Sequence, residues 1–252
     1  MTQITLLDGG MGQELVHRAG DNPTPLWSTQ IMIDHPGLVE DVHRDFCSAG
    51  ATIATTNSYA IHRDRLESTG LEAKFEDLHM KALYEAKQAG AGRIAGSVGP
   101  LGASYRADVM PPHDEAVRKY DEVVALLTPH VDLIICETVV SVASANAILE
   151  AAQKSGKPVW IAFTVSDRDG SLLRSGEPLA DALAVCDVAE ALLVNCSAPE
   201  AIPAALDILA KTGKPYGAYA NGFEMITEDF LADKPTVDAL TKRRDFTPAL
   251  YA

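Results

Sequence analysis

Three residues in the chain have side chains suited to binding and activating a small molecule, and each lies beside an apolar run. Asp8 precedes two glycines, Glu137 ends the run of residues 133–136, and Cys196 follows residues 192–195. A carboxylate can receive a cation, and a thiol can act as a nucleophile or a metal ligand. If the apolar runs are parallel strands of a barrel, their carboxyl ends meet at one mouth. The sequence therefore predicts that Asp8, Glu137 and Cys196 form one catalytic cluster.

Each of these residues also has a structural explanation. Consecutive glycines after Asp8 let backbone amides cradle a carboxylate, but they also suit a tight turn. Glu137 is costly to bury unless it meets a cation, although it could instead cap the next helix. Side chains alternate along a strand, so we assign Glu137 to the mouth and Cys136 to the layer beneath the helices. A lone cysteine such as Cys196 is often a small buried hydrophobe.

The elements that must position these residues alternate along the whole chain. Amphipathic helical segments separate seven near-continuous apolar runs, which is typical of parallel strands covered on both faces. The predicted strands are residues 4–8, 52–56, 93–98, 133–137, 159–165, 191–196 and 216–220. The pattern predicts an α/β fold of the (β/α)8 TIM-barrel type.

The count of seven strands leaves such a barrel one strand short. An open parallel sheet would expose an apolar edge. Residues 221–245 are polar, and residues 247–248, a threonine followed by a proline, have the character of a helix start. We therefore expect residues 1–252 to be a single barrel domain that is incomplete at its C-terminal end and lacks the last helix, strand and helix.

Composition excludes several classes of partner. The net charge of −14 argues against a nucleic-acid-binding protein, which needs clustered lysine and arginine. No apolar stretch approaches the roughly 18 residues of a membrane-spanning helix. The four cysteines lie far apart, as in a cytoplasmic protein with reduced thiols. We expect a cytoplasmic protein that acts on small molecules without nucleic acid or membrane, and a homo-oligomer is compatible with the sequence.

Other barrel chemistries lack their residues at the strand ends. No lysine lies at a strand's carboxyl end, which disfavours a Schiff-base aldolase. The first strand has no His-x-His pair for a metal-dependent amidohydrolase, and the cysteine spacing fits no iron–sulfur ligand run. The glycines after Asp8 do not match a dinucleotide fingerprint.

The strand ends belong to a series of short motifs that spans nearly the whole chain. The motifs are Leu7-Asp8-Gly9-Gly10-Met11-Gly12-Gln13-Glu14-Leu15, Pro25-Leu26-Trp27-Ser28, His35-Pro36, Val42-His43-Arg44-Asp45-Phe46, Ala49-Gly50-Ala51, Thr55-Thr56-Asn57-Ser58-Tyr59, Gly96-Ser97-Val98-Gly99-Pro100, Cys136-Glu137-Thr138, Asp169-Gly170, Ser175-Gly176-Glu177-Pro178-Leu179, Val194-Asn195-Cys196 and Tyr219-Ala220-Asn221. In this order they resemble the homocysteine S-methyltransferase family, which has betaine-, S-methylmethionine- and folate-dependent members.

The resemblance implies a role for each part of the mouth. It places the carboxylate of homocysteine on the backbone amides of residues 9–11, which are Gly9, Gly10 and Met11. It places the α-ammonium near Glu137, with Asp8 close by. It makes Cys196 one ligand of a zinc ion, with two further cysteine ligands in a Gly-Gly-Cys-Cys motif expected beyond Ala252. Asn195, next to Cys196, is also expected to bind the substrate.

The chemistry that the resemblance implies is methyl transfer to sulfur. Zinc would hold the homocysteine thiol as a thiolate, which attacks the methyl group of a sulfonium or quaternary ammonium donor. Trp27 and Tyr59 are candidates for the donor pocket because aromatic faces attract such cations, although both suit an ordinary core. Asn57 is expected to orient the donor or the loop that carries Tyr59. A sulfonium donor is preferred to cobalamin or folate, since the chain has no room for further cofactor domains.

Two alternatives stay open on the sequence alone. One is a barrel lyase or hydrolase that uses Asp8 and Glu137 as acid and base and makes no use of Cys196. The other is a metal-free relative that binds an amino acid without catalysis.

Overall fold

The computed structural model describes residues 4–20, 26–67, 69–227, 231, 241–245 and 247. Its centre is one curled sheet of six strands in sequential order, and each strand pairs in parallel with the next. The strands are β1 (Ile53–Thr55), β2 (Arg93–Val98), β3 (Leu133–Val139), β4 (Val159–Phe163), β5 (Ala191–Asn195) and β6 (Tyr216–Tyr219). The predicted α/β class with a parallel sheet is confirmed.

The helices of the described part of the chain connect the strands and cover one face of the sheet. They are α1 (Met11–Arg18), α2 (Ser28–Asp34), α3 (Leu38–Ser48), α4 (Arg63–Glu67), α5 (Phe75–Gln88), α6 (His113–Leu127), α7 (Val142–Ala152), α8 (Leu179–Leu183) and α9 (Ile202–Leu209). Helix α7 begins at a capping box in which the Ser141 hydroxyl accepts from the Ser144 amide at 3.1 Å. None of these helices is long and apolar enough to cross a membrane.

Both faces of the sheet are buried, and this explains the near-continuous apolar runs. Ile134 and Cys136 of β3 belong to the large core that includes the helices. Leu133 and Ile135 belong to a second, smaller cluster that contains residues from β1 to β5. Cys136 therefore lies in the layer beneath the helices, as the strand alternation predicts.

The first predicted strand, residues 4–8, is not a strand in the structure. The segment makes a single parallel bridge, between Leu7 and Ile53. Two backbone hydrogen bonds flank the bridge: the Asp8 amide donates to the Ile53 carbonyl at 3.1 Å, and the Thr52 amide donates to the Leu6 carbonyl at 2.9 Å. Ile4 is 87% exposed and Leu6 is 52% exposed, because this segment lies at the edge of the sheet. A single bridge is too short a ladder to count as a strand, and an apolar composition does not reveal how many residues will pair.

The sheet is open within the described residues. Segment 4–8 flanks β1, and at the other edge β6 pairs only with β5, leaving Tyr216 51% exposed. The predicted strand over residues 216–220 is confirmed, and β6 ends one residue earlier than predicted. The helix start predicted at residues 247–248 depends on residue 248, which lies outside the described residues.

Candidate active site

The carboxyl ends of the six parallel strands lie at one edge of the sheet, and Glu137 is at the centre of the polar groups there. One of its carboxylate oxygens accepts a hydrogen bond from the Ser97 hydroxyl of β2 at 2.5 Å. The other accepts from the Tyr219 hydroxyl of β6 at 2.8 Å. Because β3 and β6 are not neighbours, the second bond spans the concave side of the sheet. Glu137 therefore points into the mouth.

The surroundings of Glu137 suit a cation from outside the protein. Burial raises the pKa of its carboxyl group, the hydroxyls of Ser97 and Tyr219 lower it, and the negative charge of Asp8 raises it. No lysine, arginine or histidine forms an ion pair with Glu137 in the described ranges. Glu137 is a partly buried carboxylate whose hydrogen-bond donors are hydroxyl groups, so an ammonium group would stabilise its negative charge further.

Asp8 is held in place through one of its two carboxylate oxygens. Oδ2 accepts the Thr55 amide of β1 at 2.7 Å and lies 3.1 Å from Nδ1 of His43 on α3. The side chains of Asp8 and His43 are 3% and 0% exposed. Oδ1 makes no hydrogen bond to any described residue, so it remains an acceptor for a ligand. His43 belongs to a motif of the family resemblance, but the sequence assigned it no role, and its place beside Val42 on the buried face of α3 is the signal that could have indicated one.

The two glycines that follow Asp8 differ in the space available for a side chain. A Cβ on Gly9 would lie 2.4 Å from the Phe46 ring, so packing requires its absence. A Cβ on Gly10 would meet nothing within 4 Å, and Gly10 is the N-cap of α1. No side chain caps the first amides of this helix, which begins at Met11. Uncapped amides at a helix start form a site suited to a carboxylate.

Cys196 follows β5 in a backbone conformation that side chains rarely adopt, with φ of 51°. Its sulfur accepts from the Asn195 amide nitrogen at 3.4 Å and from the Thr138 hydroxyl at 3.7 Å. Burial raises the pKa of the thiol to about 11, the charge of Glu137 adds to this, and hydrogen bonds with Thr138 and Tyr105 oppose it. Thr138 also has a positive φ, 56°. Two strained residues in contact at strand ends are typical of a functional site.

Asn195 joins the ends of three strands through its fully buried amide. Its oxygen accepts from the Thr138 backbone N–H at 3.2 Å and from the Thr164 hydroxyl at 3.1 Å. Its nitrogen donates to the Thr138 hydroxyl at 3.2 Å as well as to Cys196. All four hydrogen bonds go to protein groups, so Asn195 positions the thiol and β3.

The two predicted donor-pocket aromatics pack against each other. The rings of Trp27 and Tyr59 meet edge to face with centroids 6.5 Å apart. The Tyr59 hydroxyl lies 2.8 Å from Oγ of Ser104, and burial raises the pKa of Tyr59 to about 12. The charge of Arg65 opposes this increase in the pKa and that of Cys196 contributes to it, so Tyr59 lies near the thiol.

Asn57 is buried and contacts helix α2. Its amide nitrogen donates to the Ser28 carbonyl at 3.1 Å, so it ties the loop after β1 to the start of α2. This geometry favours the second of its two predicted roles, orienting the loop that carries Tyr59.

Several residues at the mouth were not singled out from the sequence. Ser97 and Tyr219 belong to motifs that carry the family resemblance, and their position at strand ends is the signal that could have identified them. Thr138 and Tyr105 share a positive φ, which only the structure reveals.

The residues present do not form a complete metal site. Within the described ranges, no group of three histidine, cysteine, aspartate or glutamate side chains could hold a metal ion. Cys196 is the one predicted ligand that the described residues contain, and a tetrahedral zinc site needs three or four protein ligands.

This fold and this mouth define an α/β protein with carboxylates, a thiol and aromatic rings at the carboxyl ends of its parallel strands. A family model described as homocysteine S-methyltransferase matches residues 5–245. The homocysteine S-methyltransferase of Escherichia coli (strain K12) is 36% identical over 248 residues, which cover 88% of this chain and 78% of that protein. A selenocysteine methyltransferase of Astragalus bisulcatus is 27% identical over 88% of this chain and 77% of its own.

A solved structure is also similar. The homocysteine methyltransferase MmuM of Escherichia coli, in its metallated form, superposes with a TM-score of 0.79 at 31% identity, over 92% of this chain and 88% of that one. The chain belongs to the homocysteine S-methyltransferase family, and the resemblance drawn from its motifs is confirmed.

Proposed function

We propose that this chain transfers a methyl group to the sulfur of homocysteine, or to a related thiol or selenol. The transfer takes place at the mouth that carries Asp8, Glu137 and Cys196. The family match and the thiol and selenol methyltransferases among its relatives support this activity. The observation that carries it is Glu137, a partly buried carboxylate that faces the mouth and has no cationic partner in the described ranges.

The acceptor amino acid matches the charges of the mouth. Its ammonium group would lie between Glu137 and the free Oδ1 of Asp8. Its carboxylate would accept from the uncapped amides at the start of α1, beside Gly10 and Met11. This orientation directs the side-chain sulfur toward Cys196.

The transfer itself is a displacement at carbon. The acceptor thiol releases its proton to water, and the resulting thiolate forms a bond to the methyl carbon. The bond from that carbon to the onium centre breaks at the same time, and its electron pair leaves a neutral sulfide or amine. Trp27 and Tyr59, which are both partly buried, would hold the cationic donor, because aromatic faces attract such a charge.

We also propose that Cys196 contributes one ligand to a zinc ion, which is supported by the metallated form of the similar MmuM. The described residues offer no second or third ligand, so they do not complete that site by themselves. Closure of the six-stranded sheet into an eight-stranded barrel is a further proposal, supported by its curl and parallel order. Cytoplasmic location and a homo-oligomer stay predictions.

Homocysteine binding by isothermal titration calorimetry tests the proposed function. Glu137→Gln keeps the size and hydrogen-bonding capacity of the side chain and removes its charge. Loss of a charge-assisted contact should weaken homocysteine binding by about tenfold or more. Glu76→Gln, an exposed position on α5, serves as the matched control and should bind as the wild type does.

Methyl transfer is then measured as methionine formation by mass spectrometry, with zinc and an onium donor supplied. Equal homocysteine affinity in wild type and Glu137→Gln would contradict the proposed binding mode. Tight homocysteine binding without any methionine formation would favour the alternative of a relative that binds an amino acid without catalysis.

A further inference from the structure

We propose that His43 is a positioning residue for the acceptor amino acid. It acts through Asp8, because it holds the Asp8 carboxylate in the orientation that receives the ammonium group of the acceptor. This inference rests on the proposed function and gives a role to a residue that had none in the sequence.

The strand ladder does little to hold Asp8 in place. In the described part of the chain, segment 4–8 makes one bridge to β1. The Asp8 amide donates to the Ile53 carbonyl at 3.1 Å, which holds the backbone but leaves the side chain to other contacts. Two donors supply those contacts, the Thr55 amide at 2.7 Å and Nδ1 of His43 at 3.1 Å.

Both donors contact the same carboxylate oxygen of Asp8, Oδ2, and they come from different elements. With the Thr55 amide of β1 alone, the carboxylate could turn about a single hydrogen bond. The imidazole of His43 approaches from α3 and removes this freedom, so Oδ1 keeps one direction. A carboxylate that is already oriented loses less conformational freedom when it binds an ammonium group.

Helix α3 supports the turn at Asp8 through two side chains. His43 contacts Asp8. Phe46 lies three residues further on, and a Cβ on Gly9 would be 2.4 Å from its ring. Residues three apart lie on the same side of a helix. The start of α3 is held in turn by the buried carboxylate of Glu85 on α5, which accepts a backbone amide of the first turn at 3.2 Å.

The imidazole orients Asp8 without neutralising it. Within the described residues, Nε2 of His43 is buried and has no hydrogen-bond partner. A proton on Nε2 would be a buried donor without an acceptor, whereas a proton on Nδ1 has Asp8 as its acceptor. The arrangement therefore favours the neutral tautomer with its proton on Nδ1. The negative charge of Asp8 then acts on the ammonium group together with that of Glu137.

The test compares two acceptors that differ only in the ammonium group, homocysteine and 4-mercaptobutanoic acid. Both carry the thiol and the carboxylate, so the ratio of their dissociation constants measures recognition of the ammonium group. In isothermal titration calorimetry, wild type should prefer homocysteine by about tenfold or more. His43→Leu removes the donor and keeps an apolar side chain in its place. Its preference should fall by about fivefold or more, through weaker homocysteine binding, while Glu137 maintains the remainder.

Two amide variants separate the hydrogen bond from the ring. The amide nitrogen of His43→Asn lies as many bonds from Cα as Nδ1 does, so it can donate to Asp8 and should keep the preference within about twofold of wild type. The amide nitrogen of His43→Gln lies one bond further, as Nε2 does, so this variant should behave like His43→Leu and replaces it if that variant does not fold. His79→Leu removes another buried histidine, on α5, and is the matched control that should retain the full preference.

An Asp8→Ala background shows whether His43 acts through Asp8. Once that carboxylate is removed, His43→Leu should change the preference no further. Equal effects of His43→Leu in the two backgrounds would contradict the inference.

The inference is also overturned by a wild-type preference in His43→Leu, by an equal loss of affinity for both acceptors, or by a failure of His43→Asn to keep the preference. A wild type without any preference overturns it as well. Wild type that prefers homocysteine while every His43 variant does the same rejects the role of His43 alone, whereas absent homocysteine binding by wild type rejects the proposed function.

Discussion

Replacing Asn195 by alanine tests the network that holds the strand ends at the mouth, because its buried amide makes four hydrogen bonds there. The variant removes the acceptor of the Thr138 backbone N–H and of the Thr164 hydroxyl. It also removes the donor to the Cys196 sulfur. The loss therefore affects three strands at once.

The magnitude follows from the groups left without partners. A buried donor that loses its acceptor costs about 1–3 kcal/mol, and two are affected here. The Thr164 hydroxyl can rotate to another acceptor, so we expect a destabilisation of about 2–4 kcal/mol rather than the full sum. Thr138 holds a φ of 56°, and such backbone strain persists only where neighbours enforce it. We expect its release to disturb the adjacent Glu137.

Urea unfolding followed by far-ultraviolet circular dichroism measures the free energy of unfolding. Asn146→Ala is the matched control, because Asn146 is an exposed asparagine on α7 and its replacement should change stability by no more than about 0.5 kcal/mol. If Asn195→Ala unfolds at the same urea concentration as this control, the network does not stabilise the mouth and the reasoning fails.

Three further outcomes are expected. Gly9→Ala should destabilise the protein by about 1–3 kcal/mol in urea unfolding because the added Cβ meets the Phe46 ring, whereas Gly10→Ala should be tolerated; the reverse order would refute this packing. Burial lowers the pKa of His79 from 6.5 to about 4, so the unfolded chain takes up this proton first as the pH falls. Stability should be complete above pH 6.5 and fall by up to about 3 kcal/mol as the pH drops toward 4, and unfolding midpoints of His79→Gln that keep the wild-type pH dependence would contradict this. Because burial raises the pKa of Cys196 to about 11, its alkylation by iodoacetamide in metal-free protein should be slow at pH 7 and accelerate steadily toward pH 11, and a rate that peptide mass spectrometry finds constant from pH 7 to 9 would exclude that value.

Patterns within short stretches of sequence were enough to predict the α/β class and the places where chemistry could occur. Strands buried on both faces must be apolar along their whole length, so β1 to β6 were recognisable as short apolar runs. Side-chain alternation likewise separated Glu137 from Cys136, because successive residues of a strand face opposite sides. These properties depend on residues close together in the chain.

The same local reasoning failed for residues 4–8. Their apolar composition predicts a strand, but a strand exists only where several residues pair with a neighbour, and within the described residues this segment makes one bridge to β1, at Leu7. Pairing is a property of the sheet, and the segment itself does not encode it.

Tertiary structure decided what surrounds the predicted residues. The Tyr219 hydroxyl reaches Glu137 from a strand 82 residues away, and His43 reaches Asp8 from 35 residues away. Such contacts follow from the register of the strands and the curl of the sheet, which are set by packing across the whole core and leave no pattern in any short stretch of sequence.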